Sequence, residues 1–290
     1  MNKIKKILIL GGCGLLGKPL TNYLKANNFD VVTVAKNSQE ADYNLDVTDE
    51  GALFSLLMKV SPDLIINLVA ITSVEFCEYN LHVAYKMHVE LNDNLNTYCK
   101  NSNARILHVS TDHFYDANNS TEIEICPKNV YALTKLMGEK SFSTANAVII
   151  RTNFFGKSQT TGRLSLTDVM YRQSIESEKL NLFDDVYFSP LSISSLSKYI
   201  VHIINNWIPG IYNLGSKEGL SKKNFVVRFL NSCGLKNINY KSVSVSDSNL
   251  KVARPKDMRM DVTLFENTFN CKLPLLTSEI EIVAGEYCEK

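Results

Sequence analysis

The stretch "LILGGCGLLGKPL" at residues 8–20 places a set of glycines between an apolar run and a helical pattern. Gly11, Gly14 and Gly17 have the spacing Gly-x-x-Gly-x-x-Gly. Such glycines permit a tight turn, a close approach of the backbone to a pyrophosphate, and close packing of a helix on a strand. The N–H groups at the helix N-terminus then point towards the phosphates. The stretch therefore predicts a dinucleotide-binding loop, and a glycine-rich turn without a ligand is the simpler alternative.

Outward from this loop, short apolar runs alternate with helical patterns through the first half of the chain. Strands that are rich in Val and Ile and separated by helices indicate a parallel sheet covered on both faces. We therefore predict an α/β fold with a Rossmann-type, doubly wound parallel sheet. Thr48 is the expected N-cap of the second helix. Strands are predicted at 4–10, 30–35, 62–70, 104–110 and 146–152, and helices at 15–27, 47–60, 81–101 and 129–140.

The pattern loosens after residue 152. The sequence predicts one more buried strand at 211–215, a short helix around 221–232 and otherwise irregular segments. We therefore predict a dinucleotide-binding domain at 1–152 and a smaller substrate-binding lobe at 153–290, with a segment near 191–215 returning to the first sheet.

The composition limits the classes of partner. The 290 residues are 45% hydrophobic and 21% charged, with a net charge of +1. Such a chain has no overall field that favours nucleic acid or an anionic membrane, so an anionic ligand must be held by local groups. Apolar runs fall short of the ~20 residues that a membrane span needs. The run Ile7–Leu10 is also too short for the core of a signal peptide.

The seven cysteines are odd in number, widely spaced and without a Cys-x-x-Cys pair. This usage predicts reduced thiols and a cytoplasmic location rather than a disulfide framework. The five histidines form no His-Glu-x-x-His motif. We therefore predict no metal site.

The end of the second predicted strand bears on the choice of dinucleotide. NAD sites usually carry an Asp or Glu there, which binds the ribose. Here Lys36 follows the strand, and no acid occurs before Glu40. A cation at this place suits a 2′-phosphate, which predicts a preference for NADPH with NADH as the alternative; a solvated lysine explains Lys36 equally well. Further along, the Asp46 carboxylate could accept a hydrogen bond from the adenine amino group.

A Tyr-x-x-x-Lys pair occurs within "NVYALTKLMGEK" at residues 129–140. Tyr131 and Lys135 are four residues apart, which places them on one face of a helix. The pair alone is uninformative, because a chain of this composition contains roughly one such match by chance. A free tyrosine has a pKa near ~10, and a nearby ammonium lowers it towards the range of useful acid–base catalysis. A surface Tyr and Lys on an ordinary helix is the alternative.

Taken together, the motifs resemble one known family. The stretches "GGCGLLG", "LDVTD", "NLVAITSVEFCE", "HVSTDHFYD", "YALTKLMGE" and "IIRTNFFG" occur in this order, followed by "DDVYFSPLSISSL" and "ARPKDMRMDVTLF". The chain thus resembles the extended short-chain dehydrogenase/reductase superfamily, and within it the dTDP-4-dehydrorhamnose reductase group of sugar-nucleotide reductases. The resemblance covers most of the chain.

The resemblance implies roles for particular residues. Thr111, Tyr131 and Lys135 match the catalytic triad, in which the cofactor delivers a hydride, the tyrosine protonates the developing alkoxide and the lysine also binds the nicotinamide ribose. The residues implied in cofactor binding are Gly11, Cys13, Gly14, Leu15, Leu16, Gly17, Lys36, Asp46, Val47, Leu68, Val69, Ala70, Tyr131 and Lys135. The residues implied in substrate binding are Thr111, Asp112, His113, Asn153 and Arg254.

Departures from the family bear on the substrate. His113 stands where relatives that dehydrate nucleotide sugars carry Glu, which argues against dehydration. "RTNFFG" lacks the tryptophan of "RTSWVYG", so a 4-keto-6-deoxy or amino sugar other than the rhamnose precursor is equally compatible. His113 either moves a proton beside the carbonyl or only binds substrate, and the second reading is favoured. Arg254 either holds the diphosphate or base, or forms a surface ion pair. The run "SKK" at 221–223 is expected to be a solvated helix start, and His88 stands where relatives often carry Asn.

The resemblance implies an NAD(P)H-dependent reductase of a nucleotide-diphosphate sugar, acting in the synthesis of a bacterial-type surface polysaccharide. A homodimer is a further expectation, because relatives often pair through helices on one side of the sheet. One alternative is a nucleotide-sugar epimerase with tightly bound NAD. Another is a non-catalytic, NADP-binding regulatory subunit like the β subunit of methionine adenosyltransferase, which resembles the same superfamily.

Overall fold

A computed structural model describes residues 3–142 and 147–288 of the chain. Asn146, the first residue of the strand predicted at 146–152, lies outside the described residues. The described residues form two compact units. The first unit takes its residues from Met1–Thr111, Asn129–Arg151 and Ser197–Tyr212, and the second from Asp112–Lys128, Thr152–Leu196 and Asn213–Lys290. The predicted domain boundary at residue 152 stays a prediction.

The strands are numbered in chain order. They are β1 (Lys6–Leu10), β2 (Asp30–Ala35), β3 (Tyr43–Asn44), β4 (Leu64–Asn67), β5 (Arg105–Thr111), β6 (Ala147–Thr152), β7 (Phe154–Phe155), β8 (Leu180–Phe183), β9 (Tyr187–Phe188), β10 (Leu191–Ser192), β11 (Gly210–Leu214), β12 (Leu220–Ser221), β13 (Tyr240–Val243) and β14 (Asp257–Met258).

The helices are numbered in the same way. They are α1 (Gly17–Ala26), α2 (Glu50–Val60), α3 (Val74–Tyr79), α4 (Leu81–Tyr85), α5 (Leu91–Asn101), α6 (Val130–Lys140), α7 (Leu166–Ile175), α8 (Ile193–Asn205), α9 (Lys222–Ser232), α10 (Thr263–Phe269) and α11 (Leu276–Cys288). A π-helical segment, Lys86–Glu90, joins α4 to α5, and a short 3₁₀ helix spans Val245–Asp247.

The main sheet has seven strands in the order β3-β2-β1-β4-β5-β6-β11. β1 pairs in parallel with β2 and with β4, and the pairs β2–β3 and β4–β5 are also parallel. The first six strands have the order of a Rossmann fold, which confirms the predicted fold class. The order reverses between β1 and β4. In open α/β sheets, ligands bind beyond the carboxyl ends of the strands at such a point.

The central strands of this sheet are buried on both faces. In β1, Ile7, Leu8, Ile9 and Leu10 all have no exposed surface. Leu8 and Leu10 pack in a cluster with residues of α2 and α5, among them Leu53 and Leu95. Full burial of one such side chain contributes about 1.5–3 kcal/mol. A continuous apolar run, rather than an alternating one, is what a parallel sheet covered on both faces requires.

The second unit has a core of its own around α9. Phe225, which has no exposed surface, makes edge-to-face contacts with Phe155 at 4.8 Å and with Phe188 at 5.0 Å between ring centroids. Leu276 and Ile280 of α11 belong to the same buried cluster. Aromatic pairs in this geometry contribute about 0.5–1.5 kcal/mol beyond the area that they bury.

Several local predictions are wrong. Asp49, not Thr48, caps α2, because its carboxylate accepts from the Ala52 N–H at 3.0 Å, whereas the Thr48 hydroxyl donates to Asp46. The predicted helix at 81–101 contains the π-helical segment. The region after residue 152, predicted to be largely irregular, also contains α7, α8, α10 and α11.

Candidate active site

The glycine-rich loop follows β1 at the point where the strand order reverses. Gly11 has a φ of 84°, in the left-handed region that glycine adopts without strain. A Cβ added at Gly17 would lie 2.1 Å from the carbonyl oxygen of Gly11, so the start of α1 contacts the loop backbone directly. Leu16 at the N-cap has no polar atom with which to cap α1. The first N–H groups of α1 are therefore suited to an anion.

The segment after β4 lies against this loop. The nearest atoms to a Cβ added at Gly11 would be those of Val69 and Leu68, at 3.4 and 3.5 Å. The Leu68 N–H donates to the Leu10 carbonyl at 3.1 Å, which ties the two chain segments together. The predicted cofactor residues Leu68, Val69 and Ala70 are all half-buried. The structure thus brings the glycine loop and this segment to one edge of the sheet.

The predicted ribose and adenine contacts, Lys36 and Asp46, bind each other. The Lys36 Nζ lies 2.8 Å from an Asp46 carboxylate oxygen, and the two side chains are 69% and 40% solvent-accessible. The Thr48 hydroxyl also donates to Asp46 at 2.8 Å. The bond from Lys36 is the main cause that lowers the pKa of Asp46 to about 2, followed by the bonds from Thr48. Val47 between them is buried.

Helix α6 carries the Tyr-x-x-x-Lys pair. Asn129 caps it by accepting from the Ala132 N–H at 2.9 Å. Tyr131 and Lys135 are 7% and 2% exposed, so the face that they share is turned into the first unit rather than to solvent. This burial argues against an ordinary helix with a surface Tyr and Lys.

The ammonium of Lys135 is held beside β5. It donates to the Val109 carbonyl at 3.0 Å and lies 3.3 Å from Nε2 of His108. Burial lowers the pKa of Lys135 to about 8, and the charge of Glu139 opposes this shift. Thr111, the predicted third member of the triad, is buried at the end of the same strand, two residues beyond Val109.

His88 contacts the same helix. Its ring lies edge-on to that of Tyr131, with centroids 5.8 Å apart. Burial is the main cause that lowers the pKa of His88 to about 3, with the Lys135 charge as the second cause. His88 is therefore neutral near pH 7. Sequence reasoning noted this histidine but gave it no role, because a single sequence does not show what the ring touches.

The predicted substrate residues lie mainly in the second unit. Asn153 donates to the Asp112 carboxylate at 2.8 Å, and Asp112 is fully buried. Burial, followed by the charges of Lys222 and Arg254, lowers the pKa of His113 to about 4. His113, Lys222 and Arg254 are all half-buried. The structure thus groups these two cations with His113 and Asp112.

Lys222 was missed by sequence reasoning, which predicted a solvated helix start at 221–223. Ser221 does cap α9, but it is buried, and the Lys222 ammonium lies 5.9 Å from the ring centroid of the buried Phe188. Burial lowers the pKa of Lys222; the Asp112 charge raises it and the Arg254 charge lowers it. The pairing of β12 with β9 places Lys222 next to Phe188. The sequence "SKK" alone does not indicate this pairing.

Comparison with known proteins identifies the family. Residues 5–288 match the family model described as RmlD substrate binding domain. The chain belongs to this RmlD family. The match confirms the predicted resemblance to dTDP-4-dehydrorhamnose reductases, and it extends over nearly the whole chain.

The relatives of this chain include proteins that are named as reductases. The chain is 26% identical to a dTDP-4-dehydrorhamnose reductase of Aggregatibacter actinomycetemcomitans, over 91% of this chain and 93% of that protein. It is 22% identical to the probable low-salt glycan biosynthesis reductase Agl14 of Haloferax volcanii, over 97% of this chain and 98% of that one. The predicted class of enzyme, a reductase of the dTDP-4-dehydrorhamnose reductase type, is thereby confirmed.

The fold of this RmlD family member also agrees with solved structures. The dTDP-4-dehydrorhamnose reductase of Bacillus anthracis, determined in complex with NADP, superposes with a TM-score of 0.88 at 22% identity, over 98% of this chain and 100% of that one. Among the described residues, no helix is long and apolar enough to cross a membrane. The same residues contain no group of three or more His, Cys, Asp or Glu side chains that could hold a metal ion.

Proposed function

We propose that this reductase converts the keto group of a nucleotide-diphosphate sugar, of the 4-keto-6-deoxy or amino sugar class, into an alcohol during the synthesis of a surface polysaccharide. The observation that carries the proposal is the burial of Tyr131 and Lys135 on one face of α6, with the Lys135 ammonium bound to the carbonyl of Val109 on β5. An ammonium on the same helix face as a phenol lowers the pKa of that phenol, which favours proton transfer near neutral pH.

In this proposal, the first unit holds NADP(H), with NAD(H) as the alternative. The site fits such a group, because the contact between Gly17 and Gly11 brings the N-terminus of α1 up to the loop that would receive a pyrophosphate. Lys36 would exchange its exposed partner Asp46 for a 2′-phosphate, since exposed ion pairs contribute only about 0–1 kcal/mol. Leu68, Val69 and Ala70 would line the same edge. When bound, the nicotinamide would supply the hydride.

The proton chemistry is assigned to three residues. Tyr131 would donate its phenolic proton to the oxygen of the reduced carbonyl. The Lys135 ammonium would lower the pKa of that phenol and bind the ribose, and Thr111 would donate a hydrogen bond to the carbonyl oxygen. His88, being neutral, adds no charge that would oppose the protonation of Lys135.

The second unit is proposed to bind the sugar nucleotide. Lys222 and Arg254 would bind the diphosphate, which carries the negative charge that two grouped cations favour. Asp112, His113 and Asn153 would hydrogen-bond the sugar. His113 is assigned binding rather than proton transfer, because a pKa of about 4 leaves the ring neutral and only weakly basic near neutral pH.

The role of Lys222 can be tested against its neighbour. Lys222→Met should raise KM for the sugar nucleotide roughly 10–100-fold with little change in kcat, because a bond to a charged group contributes ~1.5–3 kcal/mol in ground state and transition state alike. Lys223→Met is the matched control, since Lys223 lies 3.9 Å from Asp184 and is not grouped with Arg254. Equal KM values for the two variants would remove Lys222 from the substrate site.

We further propose a homodimer that acts in the cytoplasm. Neighbouring helices of the first unit expose large apolar side chains, and such a surface favours a partner. These side chains are Phe76, Tyr79, Leu81, Tyr85, Leu133 and Met137. The seven cysteines are all free thiols, which suits a reducing compartment.

The experiment that tests the function is a screen of 4-keto nucleotide sugars that follows NADPH absorbance. The native protein should oxidise NADPH with at least one of them. Tyr131→Phe should keep its fold and its affinity for NADPH, but lose at least the ~10²–10⁴-fold in kcat that positioned acid–base catalysis contributes. Tight NADPH binding without turnover would favour a regulatory subunit instead. Protein purified with NAD already bound would favour an epimerase.

A further inference from the structure

The backbone of α6 lies unusually close to the π-helical segment between α4 and α5. A Cβ added at Gly138 would stand 1.9 Å from the His88 carbonyl oxygen and 2.7 Å from Nδ2 of Asn92. Only a glycine permits this approach. A π-helical turn also changes which side chains face a neighbouring helix, and such turns are frequent at functional sites. His88 and Asn92 both face α6, and both are buried.

The first of two hydrogen-bond chains passes through His88. The Ile71 N–H donates to Nε2 of His88 at 3.0 Å. Nδ1 of the same ring lies 2.9 Å from the Thr134 hydroxyl oxygen, and that hydroxyl donates to the Val130 carbonyl at 2.8 Å. Because a backbone N–H only donates, Nε2 accepts, and the neutral ring must carry its proton on Nδ1. Every donor in this series of hydrogen bonds is thus matched to an acceptor.

The second chain passes through Asn92 and runs alongside the first. The Val69 N–H donates to the Asn67 side-chain oxygen at 3.0 Å, and the Asn67 amide nitrogen donates to Asn92 Oδ1 at 2.8 Å. Nδ2 of Asn92 then donates to the Gly138 carbonyl at 3.1 Å. The backbone groups at both ends fix the orientation of each amide. Asn67 and Asn92 are 0% and 1% exposed, so water cannot replace either partner.

We propose that His88 and Asn92 are positioning residues, which set the distance between the segment Leu68–Ile71 and the face of α6 that carries Tyr131 and Lys135. The inference rests on the proposed function, in which that segment lines the cofactor site and that face supplies the proton. Both chains start from the end of β4 and the segment after it, at residues 67–71, and end on α6. Thr134, where the His88 chain reaches α6, is the residue next to Lys135.

The positioning role predicts a loss in kcat that depends on Tyr131. His88→Leu removes both bonds of a ring that carries no charge near pH 7, and it should lower kcat by roughly 10–100-fold, because a displacement of about 1 Å costs up to this much. KM for the sugar nucleotide should stay within about twofold. In a Tyr131→Phe background, the same substitution should have little further effect, since residues that act as a unit are not additive. His82→Leu, on the exposed face of α4, is the matched control and should keep the native kcat.

Hydrogen exchange gives a readout that does not need turnover. The Ile71 amide should exchange at least tenfold faster in His88→Leu, whereas His88→Gln, whose side-chain oxygen can accept from Ile71, should restore part of the protection. Asn92→Leu should act in the same way on the Val69 amide, through Asn67. Affinity for NADPH, measured by fluorescence, should fall in His88→Leu and Asn92→Leu but not in His82→Leu.

Two results would overturn the inference. One is unchanged exchange of Ile71 together with a native kcat in His88→Leu. The other is an equal fractional loss of rate in the native and Tyr131→Phe backgrounds, which would indicate general destabilisation. If the native protein reduced no keto sugar, the proposed function would fail, and the exchange and NADPH measurements would still decide whether these residues order the segment Leu68–Ile71.

Discussion

Lys135 offers a quantitative test, because its burial has a cost that can be calculated. The side chain is 2% exposed, and burial lowers its pKa from 10.5 to about 8. One pKa unit corresponds to 1.36 kcal/mol, so keeping this amine protonated at pH 7 costs the folded state about 3 kcal/mol. Lys135→Met keeps a flexible apolar chain without the charge. We therefore expect the variant to be more stable than the native protein at pH 7.

The sign of the pH dependence follows from proton binding. Between pH 8 and 10.5 the unfolded chain retains the Lys135 proton, whereas the folded chain has released it. The unfolded state then binds more protons, so the free energy of unfolding of the native protein rises with pH in this window. Lys135→Met lacks the group. The excess of its free energy of unfolding over that of the native protein should therefore shrink by about 1.4 kcal/mol for each pH unit above 8.

The assay is urea unfolding at pH 7 and at about pH 9.5, followed by the fluorescence of Trp207, the single tryptophan, which lies in the same unit as Lys135. The stability gap should narrow by about 2 kcal/mol between the two conditions. Lys140→Met, at the exposed end of the same helix, is the control and should show no such change. A difference in unfolding free energy between Lys135→Met and the native protein that does not vary with pH would refute the lowered pKa of Lys135. A variant less stable than native at pH 7 would show that the bonds to Val109 and His108 outweigh the cost of burial.

Two further predictions concern the cofactor edge. Gly17→Ala should abolish NADPH binding, measured by fluorescence titration, because the new Cβ would lie 2.1 Å from the carbonyl of Gly11; Gly51→Ala, where the nearest atom is 3.7 Å away, should leave binding intact, and equal affinities would contradict the close approach. Lys36→Ala should lower the kcat/KM preference for NADPH over NADH roughly 10–100-fold, since a bond to a charged group contributes ~1.5–3 kcal/mol. An unchanged preference would leave Lys36 as a solvated partner of Asp46.

The sequence predicts the first unit well because the relevant signals are local. The run from Ile7 to Leu10 is apolar at every position, as a strand covered on both faces requires, and the glycines follow it immediately. The predicted fold class and the family are confirmed. In α11, the buried residues Leu276, Ile280 and Val283 have helical spacing, so this helix could have been predicted. It was missed because it follows a stretch without a regular pattern.

The environment of the candidate site is not local, and sequence patterns therefore miss it. Lys222 reads as a solvated helix start because nothing in "SKK" indicates the strand pairing that half-buries its side chain. The partners of His88 lie 17 and 46 residues away in the chain. The sequence assigns Lys36 and Asp46 to different parts of the dinucleotide, whereas their ion pair depends on how the segments after β2 and β3 meet.

The cost of burying Lys135 also distinguishes an enzyme from a non-catalytic, NADP-binding regulatory subunit. An uncharged residue at this position would stabilise the first unit by up to about 3 kcal/mol, which is a large part of the ~5–15 kcal/mol stability of a typical domain. The neighbouring His108 adds to the expense, since its Nδ1 is buried without a hydrogen-bond partner among the described residues. A chain that only binds a cofactor needs from this position a hydrogen-bond donor to the ribose, but not a buried charge. Proton transfer from Tyr131 does need the charge, because only the charged form of Lys135 lowers the pKa of the phenol. A stability gain in Lys135→Met together with a loss of turnover would therefore show that the charge buried at this position lowers stability and supports catalysis.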